Sequence, residues 1–268
     1  MLTSLQNEQV KYVVNLHKRK FREKTGEYLI EGWRFVEEAL RRGGEITKVF
    51  LCPSRLIQEE ENQTWANLIE ELKENGIPVN EVNEKVLRKI SDTESPQGIL
   101  AIVKQPRWTW KDIEETPLLL ILDGIQDPGN CGTILRTALA AGVTQVCMTK
   151  GTVDLFNTKV LRSTMGAIFS LKILTNCHPE DILSYCRENK ISIVTGDIDG
   201  RNLYEGELPL PLALVVGNEG NGPSEFFRGE EVQKITIPMD NEVESLNVAM
   251  ATGIILYEIC RQHGLVFL

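Results

Sequence analysis

The chain is short of the features that mark several large protein classes. Its 268 residues include only 3 His, and none of its 6 Cys stands in a C-x-x-C pair. Cys52, Cys131, Cys147, Cys177, Cys186 and Cys260 are scattered through apolar stretches. That points to buried, reduced thiols in a cytoplasmic protein, and away from a metal site or a disulfide framework. No apolar run nears the roughly 20 residues of a membrane span. The N-terminal MLTSLQNEQVKYVV lacks the basic flank and continuous apolar core of a signal peptide. Positive charge is scarce too: 29 Lys+Arg against 38 Asp+Glu leave a net charge of −9, which argues against indiscriminate binding to polyanions. A G-x-G-x-x-G and a Walker lysine are both missing. A nicotinamide dehydrogenase on a Rossmann sheet therefore lacks its phosphate fingerprint.

What is present describes a globular α/β protein. Hydrophobic residues make up 42% and charged residues 25%, and the length suits two domains. Residues 1–24 predict one helix opened by Thr3 or Ser4. Residues 11–24 of it hold Lys11, Lys18, Arg19, Lys20, Arg22 and Lys24 against Glu23 alone. Such a run is either a solvated helix face or a local phosphate-binding patch. Strand and helix patterns then alternate to residue 103. The segment 105–117, with two tryptophans and two prolines in QPRWTWKDIEETP, is the expected linker between domains 1–104 and 118–268.

Past Pro117 the alternation resumes with LLLILDG, a run apolar enough for a parallel strand covered on both faces. A Rossmann-like doubly wound sheet is the economical architecture, with ligands expected at the strands' carboxyl ends. Three loops carry the polar chemistry. In LDGIQDPGNCGTILRTALAAG, Asn130 is the expected cap of a helix from Cys131, and Arg136 lies off its buried stripe with Gly132 and Thr133. Arg136 is either an anion-holding guanidinium or an ordinary surface arginine. In LALVVGNEGNGPSEF a buried strand runs into Gly217, Gly220 and Gly222 around Glu219, which is either a ligand-approaching turn or a plain one. In ITIPMDNEVESLNVAMATGIILYEICR, Pro238 stops a strand, Asp240 and Asn241 favour a turn, and Ser245 caps a helix apolar nearly all round, hence buried. Lys159 and Arg162 share a helical face in FNTKVLRSTMGA, as a phosphate clamp or a solvated face.

Taken together these loops resemble the SpoU/TrmH family of RNA ribose 2′-O-methyltransferases, in the SPOUT superfamily. The motif N-x-G-x-x-x-R after an acidic-Pro turn is matched by Asn130, Gly132 and Arg136. The motif G-N-E-G-x-G is matched by residues 217–222, and I-P-M followed by E-S-L-N-V by residues 237–239 and 244–248. EYLIEGWRFVEEAL and SPQGILAIV resemble that family's substrate-binding domain, so the likeness covers nearly the whole chain. Two positions depart from the pattern: Asn241 replaces a common Gly, a mild change for a residue tolerant of positive φ, and Pro223 replaces a frequent Leu and could open the next helix at its first position.

The resemblance implies a SPOUT catalytic domain with a C-terminal trefoil knot, a topology that periodicity alone would never suggest. It implies S-adenosylmethionine as cofactor, bordered by Thr195, Gly196, Gly217, Ile237, Met239, Ser245, Leu246 and Asn247. Arg136, Asn130, Glu219, Ser245 and Asn247 match the family's catalytic positions. Lys18, Arg19, Lys20, Arg22, Arg34, Lys159 and Arg162 are the expected RNA-binding residues. A homodimer through the C-terminal helix and a structured RNA substrate, rRNA ahead of tRNA, complete the expectation. The competing class is a catalytically silent RNA-binding or ribosome-assembly protein on the same fold.

Overall fold

The structure, a computed structural model, describes residues 1–56, 62–240 and 242–264. The chain divides into two compact units, Met1–Pro106 with Phe156–Leu161, and Arg107–Leu155 with Arg162–Leu268. Among the described residues no helix is long and apolar enough to cross a membrane.

The first unit runs α1 (Glu8–Leu16), α2 (Arg19–Thr25), β1 (Glu27–Glu31), α3 (Trp33–Arg41), β2 (Ile46–Leu51), α4 (Pro53–Leu56), α5 (Asn62–Glu74), β3 (Val79–Glu81), α6 (Glu84–Ile90) and β4 (Ile99–Lys104). Its four strands form a mixed sheet in the order β1-β4-β2-β3. Val10, Val13 and Leu16 of α1 pack with Val86, Leu87 and Ile90 of α6 over Leu29, Phe50, Leu100 and Ile102. The single helix expected over 1–24 is a pair instead. Asn7, not Thr3 or Ser4, caps α1 by accepting the Gln9 N–H, and the extended Lys18 separates α1 from α2.

That break gives Arg22 a structural task and removes it from the expected RNA patch. Arg22 is 5% exposed, and its Nη1 donates to the carbonyls of Leu16 at 2.7 Å and His17 at 2.8 Å. It satisfies the carbonyls of Leu16 and His17, where the chain leaves α1 for α2. Lys18, Arg19, Lys20 and Arg34 are exposed.

The second unit contains β5 (Leu118–Asp123), α7 (Pro128–Ala140), β6 (Gln145–Thr149), α8 (Thr158–Thr164), β7 (Lys172–Cys177), α9 (Pro179–Glu188), β8 (Ser192–Asn202), β9 (Leu212–Gly217), β10 (Val232–Thr236) and α10 (Val248–His263). The residues of α8 up to Leu161 group with the first unit. All six strands are parallel, in the order β10-β8-β9-β5-β6-β7. Every residue of β5 is buried, as a central parallel strand requires, and each of its Leu or Ile side chains contributes roughly 1.5–3 kcal/mol by leaving water. Residues 107–117 group with this unit: Ile113 joins its core, and Trp110 stacks on Tyr185 with centroids 5.1 Å apart. All six cysteines are buried free thiols.

Several limits differ from the sequence reading. β8 runs on to Asn202 because its outer part pairs again with β10 after a register shift, Arg201 opposite Ile235. Gly200 permits this: a Cβ there would lie 2.4 Å from the Ile235 carbonyl carbon. Helix α10 is not buried all round. Met250 and Tyr257 are 62% and 56% exposed on one side, while Ala249, Thr252, Leu256 and Ile259 are buried. On its inner side Gly253 faces α7, where a Cβ would make an ordinary contact with Thr137 Cγ2 at 3.4 Å.

Candidate active site

β5 and β9 pair in parallel, with Asp123 opposite Gly217 at their carboxyl ends. β6 and β7 lie to one side of this pair, β8 and β10 to the other. The sheet thus reverses its winding between β5 and β9, the place where open parallel sheets form a crevice for ligands. The loops after both strands meet there.

The first loop is set by Asp127, which caps α7 by accepting the Asn130 N–H at 2.7 Å, with Pro128 in the first turn. The sequence reading gave that cap to Asn130. Proline's fixed φ suits the first helical position, so the helix opens at Pro128 and the Asn130 side chain is left for other contacts.

The second loop folds tightly back on the end of β9. A Cβ on Gly217 would lie 2.1 Å from Pro223 N, so only glycine fits there. Asn218 and Gly222 exchange both backbone hydrogen bonds at 2.9 Å. The Asn218 Oδ1 accepts the Gly220 and Asn221 N–H groups, and its Nδ2 donates to the Gly124 carbonyl. Arg228 holds the outer edge by donating to the carbonyls of Pro223 and Asn221. Pro223 does not open a helix; a 3-10 turn over Glu225–Phe227 follows, with Ser224 as its cap residue.

In the third stretch Asp240 makes the expected turn, accepting the Glu242 N–H at 3.0 Å, while Asn241 lies outside the described residues. Ser245 is not the cap of α10. Asn247 is, accepting the Ala249 and Met250 N–H groups at 2.9 and 3.3 Å.

A chain of hydrogen bonds joins the three stretches. Glu219 Oε2 accepts the Gln126 N–H at 3.1 Å, and Oε1 accepts the Asp127 N–H at 3.0 Å and Asn130 Nδ2 at 3.2 Å. Asn130 Oδ1 in turn accepts Asn247 Nδ2 at 2.9 Å. Both amide orientations follow from the ends, since a carboxylate only accepts and a backbone N–H only donates. Burial by itself raises the Glu219 pKa, but its own backbone N–H, those of Gln126 and Asp127 and the Asn130 amide outweigh it and hold the carboxyl below its usual range. A depressed folded pKa adds stability above the ordinary glutamate value of about 4.3, and that stability is lost as pH falls through the folded value. Urea unfolding is therefore expected to separate wild type from Glu219→Gln at pH 7, and the gap to narrow as pH falls below the ordinary glutamate value of about 4.3. A gap that does not change with pH would contradict this account.

Arg136 and Ser245 stand apart from this chain. Arg136 is exposed on the outer side of α7 with Thr133, about 9 Å of helix rise beyond Asn130, and makes no hydrogen bond or ion pair among the described residues. Ser245 is exposed on the stretch leading to Asn247. Lys159 and Arg162 are both exposed on α8.

The expected cofactor wall offers backbone and aliphatic surface. The Thr195 hydroxyl is taken by the Val215 carbonyl at 3.2 Å, so this residue presents only its main chain. Gly196 and Gly217 present bare backbone, Ile237 and Met239 are half-buried, and Leu246 is 36% exposed. Backbone groups beside aliphatic side chains suit an adenine base and a sulfonium, and lack the cation a pyrophosphate demands. Among the described residues no group of three or more His, Cys, Asp and Glu could hold a metal ion. Sequence reasoning missed Asp123, Asp127, Asn218 and Arg228, which shape the loops; the acidic residue before Pro128 was the one readable signal, as a helix cap.

Comparison with known proteins agrees with this geometry. The sequence matches the SpoU rRNA Methylase family over residues 117–257 and the MRM3-like substrate binding domain over residues 7–101. It is 34% identical to the Bacillus subtilis 23S rRNA (guanosine(2553)-2'-O)-methyltransferase RlmP, over 96% of this chain and 98% of that protein. It is also 34% identical to the Salmonella typhimurium 23S rRNA (guanosine-2'-O-)-methyltransferase RlmB, over 88% and 98%. The AdoMet-bound rRNA methyltransferase from Sinorhizobium meliloti superposes with a TM-score of 0.84 at 31% identity, over 97% of each chain. With its parallel α/β sheet and its three loops at the strand ends, the chain belongs to the SpoU rRNA methylase family.

Proposed function

We propose that this protein is an S-adenosylmethionine-dependent RNA methyltransferase acting on a ribose 2′-hydroxyl, with rRNA as the substrate class ahead of tRNA. The observation that carries the reading is the chain Glu219–Asn130–Asn247, which ties the loops after β5, β9 and β10 into one rigid rim at the sheet's switch point. The 23S rRNA activity of its relatives favours rRNA.

Thr195, Gly196, Gly217, Ile237, Met239 and Leu246 would hold the cofactor. When bound, S-adenosylmethionine would supply a sulfonium-activated methyl group for the ribose 2′-oxygen. Arg136 is always protonated, so it stabilises the developing alkoxide or grips the adjacent phosphate and does not act as a base. Glu219, Asn130 and Asn247 fix the rim, and Ser245 orients the ligand beside it. Two measurements test the activity: calorimetric binding of S-adenosylmethionine, and mapping of 2′-O-methyl sites in rRNA and tRNA from cells with and without the protein. A protein that neither binds the cofactor nor changes any site would refute it.

Residues 1–104 serve as the RNA-docking domain, joined through 105–117 to the methyltransferase domain 118–268, whose C-terminal chain forms the trefoil knot. Two copies pair through the exposed side of α10 with Val243 and Leu246 before it, a face of Met250 and Tyr257 that water solvates poorly. The setting is the cytoplasm. Lys18, Arg19, Lys20 and Arg34, with Lys159 and Arg162, contact RNA phosphates. Changing Lys18, Arg19 and Lys20 together to Gln is expected to weaken RNA binding and lower the salt slope by about 2–3, with little loss of stability. Arg22→Ala is expected to do the reverse, lowering stability by about 2–3 kcal/mol while the folded protein keeps its RNA affinity. Filter binding across a salt series, paired with urea unfolding, separates the two; equal RNA loss in both variants would undo the distinction.

A further inference from the structure

Asp123 is a buried carboxylate beneath the site that the reaction itself does not use. It ends β5 and is 5% exposed. Its Oδ1 accepts the Thr149 hydroxyl at 2.9 Å, and its Oδ2 accepts the Ser224 backbone N–H at 2.6 Å. Thr149 and Thr152 in turn accept the Gly124 N–H through their hydroxyls, at 3.2 and 3.1 Å. The near limb of the glycine turn is fastened to the same place, through Asn218 Nδ2 and the Gly124 carbonyl at 2.9 Å. Ser224 stands one residue past the far limb, after Pro223. The turn 217–222 is therefore held on both sides of the β5 end, by the Asp123 carboxylate at Ser224 and by the Gly124 carbonyl at Asn218. Both carboxylate oxygens accept hydrogen bonds here, and an alanine at this position would leave the Ser224 N–H without its acceptor.

We infer that Asp123 is a positioning residue for the methyl donor. It sets where the turn 217–222 stands over the strand ends, and acts on cofactor affinity rather than on methyl transfer. The inference rests on the reading that this turn borders the S-adenosylmethionine site. Ser224 offers a second handle, because its φ of −64° is the angle a proline ring imposes. Ser224→Pro removes the N–H donor while leaving that angle in place.

The test is calorimetric titration of S-adenosylmethionine into wild type, Asp123→Ala, Ser224→Pro and the double variant, with steady-state methylation beside it. Each single change is expected to weaken binding about tenfold and to raise the cofactor KM in step, while kcat at saturating cofactor changes severalfold less. The double variant is expected to bind no more weakly than the worse single, because both changes act on one bond. A purely structural role would lower thermal stability without this split between KM and kcat. If wild type fails to bind the cofactor, the reading of the site itself falls. If wild type binds and both singles stay within twofold of it, the role of Asp123 is overturned, as it is if the two effects multiply. Should Asp123→Ala fail to fold, Ser224→Pro decides by the same twofold limit.

Discussion

Replacing Arg136 by alanine is expected to lower methylation at saturating RNA and cofactor by about a hundred- to a thousandfold, the range seen when one preorganised charge stabiliser is removed. The guanidinium is exposed on α7 and makes no hydrogen bond or ion pair among the described residues. Its loss should therefore shift stability by no more than about 0.5 kcal/mol. S-adenosylmethionine affinity should stay within twofold, because Arg136 is not among the residues assigned to hold the cofactor. The loss belongs in kcat, since the charge it answers develops only as the ribose oxygen loses its proton. Arg136→Lys keeps the charge and gives up the planar fork, so it should fall between wild type and alanine. Single-turnover methylation with preformed RNA complex measures this directly. Full turnover in the alanine variant would assign Arg136 to the ordinary protein surface.

The parts of this molecule legible in the sequence are those where one residue type has few alternatives. LLLILD had to be a doubly covered strand, and β5 is buried throughout. The glycines of 217–222 marked a turn, though only the structure shows that a Cβ on Gly217 would strike Pro223. Caps were harder. Asn130 and Ser245 are both good capping residues, yet Asp127 and Asn247 hold those places because each sits at the point where its side chain reaches a free N–H ahead of it. Arg22 was misread for a different reason: composition counts charge, and cannot see that one cation in a basic run turns inward to the carbonyls of Leu16 and His17. Asp123 gave no sign at all. Its role depends on Ser224, about a hundred residues away along the chain, and such pairings follow from sheet order, which strand patterns alone leave open.

Asn247 permits a prediction in which stability and catalysis part company. The residue does two jobs with opposite ends of one amide: Oδ1 caps α10, and Nδ2 reaches Asn130. Asn247→Ala removes both, and should lower stability by about 1 kcal/mol through loss of the cap. Asn247→Asp keeps the cap, and its charge suits a helix N-terminus, so stability should stay near or above that of wild type. The other end fails, because a carboxylate oxygen now meets Asn130 Oδ1, acceptor against acceptor. Asn130 cannot answer by turning its amide over, since that would set its oxygen against the Glu219 carboxylate. The rim should therefore open between α7 and α10 in a protein that remains as stable as before. Displacements of the order of an ångström at a reacting centre lower rates by about a hundredfold, and Asn247→Asp is expected to approach that loss. Urea unfolding and methylation kinetics on the three proteins decide the matter. An aspartate variant that is both stable and fully active would show that the Asn130–Asn247 link has no part in the reaction.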